Sequence, residues 1–370
     1  MKLGLFKLQR THMEGEWMLI VDATIQMGPQ KVLLVLGIRI DKLEKNYIPT
    51  FEDAEPLVMR IVESCPGEVI EEVILEAKGK VGRVRGIVSD AGSEMKKGMR
   101  LLSESGQNTI HLFDIVHLIS NLLKNDLKND DDWITFKQDT THMTQVVKLS
   151  DLAHLAPPRL RSKERLMASV SLIKWACKLL AYVDVQYLQN NEIDPKVAWV
   201  LKYRKQLSTW RQLHDLGEIA LVLVHEQGYH QEISTEWNKS IAMIDFVNLR
   251  TKAFSESIKA LLQKEGLKVP AGESRLGSSV IIESSFGKFK QIEGYHASSG
   301  ITTLVLALAG IFGKTDNIEL AAALKSVSRN DLKDWLDENL GQSYLSRRKM
   351  DLNQVKPDIE SCEKFSCQTG

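Results

Sequence analysis

Three carboxylates stand out by the company they keep. Asp22 lies inside an apolar run, residues 17–26 (WMLIVDATIQ). Asp90 ends another, residues 83–89 (RVRGIVS), and is followed by Ala91, Gly92 and Ser93. Glu283 follows the short run 280–282 and opens the segment 283–293, which carries Lys288 and Lys290. An ionised carboxylate in apolar surroundings is costly unless a cation sits against it. Hard divalent ions such as Mg²⁺ or Mn²⁺ take carboxylate oxygens and keep several waters. Two such ions, about 3.5–4 Å apart, stabilise both the attacking and the leaving oxygen of an in-line phosphoryl displacement. Acids serving such ions come from neighbouring structural elements, so wide separation along the chain is expected. For each acid the plain alternative is a solvated side chain at the end of an element. The rival for the third position is Glu293, which is farther from the apolar run.

The elements that must position these acids follow from pattern and turn chemistry. Residues 17–26 and 31–40 are rich in β-branched and aromatic side chains and flank Gly28-Pro29, so they read as a hairpin. Residues 56–63 read as a third strand, with a helix as the alternative. Residues 68–77 place Val69, Ile70, Val73 and Ile74 at helical spacing. Residues 83–89 and 109–113 read as fourth and fifth strands. Between them, 94–103 is a short basic helix. Asp114 begins the helix 114–124 and caps it with its own carboxylate. A hairpin-first sheet followed by strand–helix–strand crossovers is a mixed α/β layer fold, in which chemistry collects at strand ends.

From about residue 130 to 277 the pattern turns all-helical, with long periodic stretches over 166–187, 196–223 and 233–265. Pro157-Pro158 and the basic run 159–165 mark its entry, and 270–279 its exit. A very apolar helix over 300–310 and one or two more over 320–340 follow. The expected organisation is a catalytic core in two parts, 1–128 and 279–345, an all-helical insertion over 129–278, and a polar tail over 346–370.

At 370 residues the chain can bury a sizeable core. Lys+Arg and Asp+Glu are equal at 48 each, which excludes an indiscriminately sticky nucleic-acid binder but not a DNA enzyme with locally clustered cations. No apolar run reaches membrane-spanning length and no signal-peptide layout is present, so no membrane partner is expected. Four scattered cysteines suit a reducing cytosol. Cys362 and Cys367 are close, but no His accompanies them to complete a zinc site.

The motifs VDATIQ around Asp22, IVSDAGSEMKKG around Asp90, DIVH at 114–117 and IIESSFGKFK around Glu283 resemble the DDE transposases of bacterial insertion sequences. The match spans roughly residues 17–309. The resemblance implies a ribonuclease H-like catalytic fold with a helical insertion before the Glu, which also resembles the hAT-type transposases. It implies that Asp22, Asp90 and Glu283 hold two Mg²⁺ or Mn²⁺ ions. It further implies that His117 contacts the scissile phosphate or orients an acid, where the plain reading is a helix-surface His one turn from an N-cap. Lys290, seven residues after Glu283, shares its helix face and stands where the insertion-sequence signature has its Lys. The Arg and Tyr of that signature fall on Ser279 and Leu276. Arg275 is a substitute at the wrong offset, and with Lys288 and Lys290 it completes the expected DNA contacts. Choosing Glu293 as the third acid breaks the match.

The implied partners are double-stranded DNA, as terminal inverted repeats and target, and a second copy of the chain to pair two ends. The expected location is the cytoplasm, at the nucleoid. A transposase usually carries a DNA-binding module ahead of its core, and the first strand here begins near Trp17. Two other readings share the residues: a ribonuclease H-like nuclease, and a domesticated or inactive transposase acting as a DNA-binding module.

Other motifs carry less. His225-Glu226 with His230 has one residue too many for a helical zinc pair, leaving the rings roughly 140° apart. GIFGKT at 310–315 has two residues between its glycines where a phosphate loop needs four. Gly272–Ser279 has the glycine spacing but no Lys. Trp175, Trp199, Trp210 and Trp237 read as core. The basic runs 159–165 and 346–349 read as solvated faces, with contact to DNA backbone as the alternative.

Overall fold

The computed structural model describes residues 13–27, 30–41, 43, 47–158, 165–293, 303–313, 317–340 and 348–352. Five strands form its sheet: β1 (Met13–Met27), β2 (Gln30–Arg39), β3 (Ala54–Val62), β4 (Val81–Ser89) and β5 (His111–Phe113). Their spatial order is β3-β2-β1-β4-β5. β1 pairs antiparallel with β2, and β2 with β3. β4 joins the other side of β1 in parallel, and β5 joins β4 in parallel. All five expected strands are present, and the segment with a helical alternative is a strand.

The central strands are buried on both faces, so their sequences are near-continuous apolar runs rather than clean alternations. Alternation still sorts the side chains. Trp17, Leu19, Val21, Leu33, Val35 and Ile87 face α1 (Gly67–Lys80) and α2 (Ser93–Glu104), which bring Ile70, Val73, Ile74, Met95, Met99 and Leu102. Met18, Ile20, Leu34, Leu36, Val88 and Leu112 face the other layer. That layer holds α3 (Ile115–Lys128), α4 (Asp131–Lys148), α5 (Arg165–Asn190), α6 (Pro195–Ala198), α7 (Arg204–Gln227), α8 (Ile233–Ser240), α9 (Leu249–Gly266) and α10 (Val280–Glu293). One hydrophobic core runs continuously from the sheet into these helices. α11 (Asn317–Lys325) and α12 (Arg329–Asn339) follow. This strand order and direction, with helices on both faces, is a ribonuclease H-like α/β fold carrying a large all-α component.

The helical block differs from expectation in its joints. The stretch 196–223 is a turn of helix, a 3₁₀ segment (Trp199–Tyr203) and α7. The stretch 233–265 is two helices, because Asn248 caps α9 with its side-chain oxygen on the Thr251 N–H at 3.1 Å. α4 lies in the stretch read as all-helical but is not among the long stretches singled out there. Val280–Ile282 is the first turn of α10, not a separate run. The described part of 300–310 is 3₁₀ rather than α-helical. The Gly28-Pro29 turn, the basic run at 159–164 and the cysteines of the tail lie outside the described residues.

Candidate active site

The sheet register pairs Val21 with Ser89, so Asp22 and Asp90 are the next residues along two adjacent parallel chains. Alternation sets Asp22 on the face of Met18 and Ile20, against which α10 packs. Asp22 Oδ1 accepts the N–H of Ala23 at 2.7 Å. β4 ends at Ser89, and Asp90 Oδ1 accepts the N–H of Gly92 at 3.0 Å as the chain turns toward α2. One oxygen of each carboxylate is thereby fixed by backbone. Among the described residues no protein donor meets the other.

Asp114 is the joint between three elements. Its own N–H donates to Ser89 O at 2.9 Å, extending the β4–β5 ladder. Its Oδ1 accepts the Val116 N–H at 2.6 Å and so caps α3, as the sequence predicts. Its Oδ2 accepts the Ser279 N–H at 3.0 Å and the Ser279 hydroxyl, which fixes the entry to α10. The Ile115 N–H donates to Gly277 O at 2.9 Å. Gly277 permits this approach, because a Cβ there would lie 2.5 Å from Val224 and 2.6 Å from the Tyr229 ring. With α10 anchored in this way, Glu283 in its first turn comes to His117 in the first turn of α3. His117 Nε2 is 3.6 Å from Glu283 Oε1, and its Nδ1 is 3.4 Å from Asp114 Oδ2. The Nδ1 contact is an ion pair without hydrogen-bond alignment.

Charge is unevenly shared across this group. Burial pushes the Asp22 carboxyl up to about 7, and the negative charges of Asp90 and Glu283 add to the effect. Burial raises Glu283 as well, while His117 opposes it. Asp114 is wholly buried, but the His117 ion pair and the donors from Ser279 and Val116 outweigh that burial and hold it below the usual range. His117 is raised to about 9, chiefly by Asp114, with Glu283 and Asp22 contributing, so it is an imidazolium at neutral pH.

A divalent cation fits the chemistry of Asp22, Asp90 and Glu283. All three offer hard oxygen donors, and the Asp22 carboxyl, raised to about 7 by burial and then by its acidic neighbours, is relieved by positive charge. Among the described residues, Asp114, His117 and Glu283 are the set of three potential ligands that draws within 4.8 Å. That set is a poor metal site, because both Asp114 oxygens carry protein donors and a protonated imidazole is not a ligand. We read it as an ion-pair chain in which the imidazolium supplies local positive charge.

The other expected residues fall out differently. Lys288 is exposed, with its Nζ 4.0 Å over the Phe51 ring, and Lys290 is exposed on the same helix. Arg275 is a correction: it is 4 % exposed, ion-paired to Glu273 and bonded to the Ser274 carbonyl, so it does not face a ligand in solution. Its backbone pairs with Tyr229 instead. Glu293 closes α10, well over two turns beyond Glu283. His225 and His230 do not form a metal group among the described residues. Trp210 and Trp237 are fully buried, and Trp175 and Trp199 pack against the same core.

Sequence reasoning missed Ser279. Ser279 is buried, and its hydroxyl and N–H both reach the Asp114 carboxylate. The available signal was Asp114 itself, a capping acid with one oxygen to spare.

No protein-family model matches the chain, and no curated protein matches it by sequence. Among solved structures twelve chains match, among them the Drosophila P element transposase strand transfer complex. That alignment has a TM-score of 0.39 at 14% identity and covers 82% of this chain and 78% of the other.

Proposed function

We propose that this chain is a DDE-type transposase that cleaves DNA at transposon ends and joins the freed 3′ ends to target DNA. The observation that carries the reading is the register that sets Asp22 and Asp90 side by side on β1 and just after β4, with Glu283 in the first turn of α10, the helix packed against β1. The sequence motifs around the three acids support it. Mg²⁺ or Mn²⁺, as two ions held by Asp22, Asp90 and Glu283, would supply Lewis-acid stabilisation to the attacking and leaving oxygens.

The chain's own residues prepare that chemistry. Backbone N–H groups fix Asp22 and Asp90, and the Ser279–Asp114 bonds fix the helix that carries Glu283. The His117 imidazolium faces Glu283 and is placed to donate to a phosphate oxygen. Lys288 and Lys290, exposed farther along α10, serve as backbone contacts to DNA. In this reading 1–128 and 279–345 form the catalytic core around the insertion 129–278. A homodimer pairs two ends, and the enzyme works at the nucleoid in the cytoplasm.

The test is Mn²⁺-dependent cleavage of DNA carrying the element's terminal repeats. Wild type should nick it, and Asp90→Ala should lose on the order of 1,000-fold in rate. Equal rates would remove this site. Strand-transfer products separate a transposase from a ribonuclease H-like nuclease, which makes none. DNA binding with no cleavage in wild type would leave only a binding module.

A further inference from the structure

β5 is an edge strand, and an exposed edge normally presents unpaired backbone groups. On its inner side Ile110 O accepts the Ile87 N–H at 2.8 Å, and the Asp114 N–H donates to Ser89 O at 2.9 Å. The peptide groups of His111 and Phe113 therefore point outward, away from β4. Side chains from the helical block meet three of them. Glu265 Oε2 accepts the Phe113 N–H at 3.0 Å, Lys268 Nζ donates to His111 O at 3.1 Å, and Tyr229 OH donates to Phe113 O at 3.1 Å. Lys268 also holds Glu265 at 2.7 and 2.8 Å. Glu265 is 1 % exposed and Tyr229 is fully buried.

We infer that Glu265, oriented by Lys268, is a positioning residue of the candidate active site, replacing the strand that would otherwise flank β5. This rests on the transposase reading. Phe113 directly precedes Asp114, and Asp114 holds both α3 and the entry to α10. A displaced Phe113 carries Asp114 with it, and with Asp114 go His117 and Glu283. Net stability alone does not account for a buried carboxylate held by a half-buried ammonium, since apolar side chains of the same volume generally serve a core as well. Apolar side chains would leave the Phe113 N–H and His111 C=O unpaired. The helical block is on this account part of the catalytic scaffold.

The test compares Glu265→Gln and Glu265→Leu in Mn²⁺-dependent nicking of a supercoiled plasmid, with amide exchange at Phe113 read in parallel. Gln keeps an acceptor for the Phe113 N–H, so its kcat should stay within about threefold of wild type. Leu should lower kcat on the order of 10- to 100-fold with KM for the plasmid changed less than about twofold. Its Phe113 amide should exchange faster, while that of the Gln variant stays protected. A folded Leu variant with wild-type kcat, or with wild-type protection at Phe113, overturns the assignment. Should the Leu variant not fold, rapid exchange at Phe113 in wild type or in the folded Gln variant overturns it, and slow exchange in both supports it. A wild type inert toward DNA removes the transposase reading but leaves the exchange comparison standing, so the two failures are told apart.

Discussion

At pH 6 the Asp22 carboxyl keeps its proton in most molecules, because burial and its acidic neighbours raise it to about 7. His117, raised to about 9, is charged throughout that range. Both groups bind protons more tightly in the folded chain than in the unfolded one, so both make stability fall as pH rises. The Asp22 contribution is lost between about 4 and 7, and that of His117 between 6.5 and about 9. The melting temperature in EDTA should therefore drop on the order of 2–5 °C between pH 6 and pH 9. Mg²⁺ binds the deprotonated acids, so it should raise the melting temperature more at pH 8 than at pH 6. Calorimetry across this range checks both statements, and a melting temperature that climbs with pH in EDTA contradicts them.

At the level of elements, the sheet was legible and the joints were not. The five strands announce themselves by β-branched runs between Gly and Pro signals, and both faces of the sheet sort by alternation. Within the all-helical stretch α4 was not singled out, because its exposed face is polar and rich in Thr, with only Trp133, Phe136, Thr140 and Val147 buried. α8 and α9 ran together because helical periodicity carries across the break, although the Asn248–Thr251 capping box was there to be read. The Ser279–Asp114 contact joins residues 165 apart, and no local pattern encodes such a pairing. Two elements hang on that contact, so Asp114→Asn is its direct probe. The amide oxygen can still cap α3, but its NH₂ meets the Ser279 N–H donor. We expect a loss of about 1–3 kcal/mol in stability. We also expect His117 to titrate closer to the ordinary histidine value near 6.5, read by NMR. An unchanged His117 titration would mean that Asp114 does not set its charge.

Across the whole molecule, the zero net charge and the acid cluster fit together. On the transposase reading, a chain without a global positive field holds DNA by local contacts, and α10 presents Lys288 and Lys290 along the same helix as Glu283. The three acids come from β1, the end of β4 and α10, elements that meet only when the sheet and the helical layer close on each other. Motif order made the acids legible; the convergence we propose for them depends on a core that continues from the sheet through the helices. The most direct test of that convergence is anomalous diffraction from crystals soaked in Mn²⁺ at pH 8. We expect density bounded by the carboxylates of Asp22, Asp90 and Glu283, lost in Asp90→Ala. Manganese bound only elsewhere, or bound by Asp114 and His117 without Asp22 and Asp90, would contradict it.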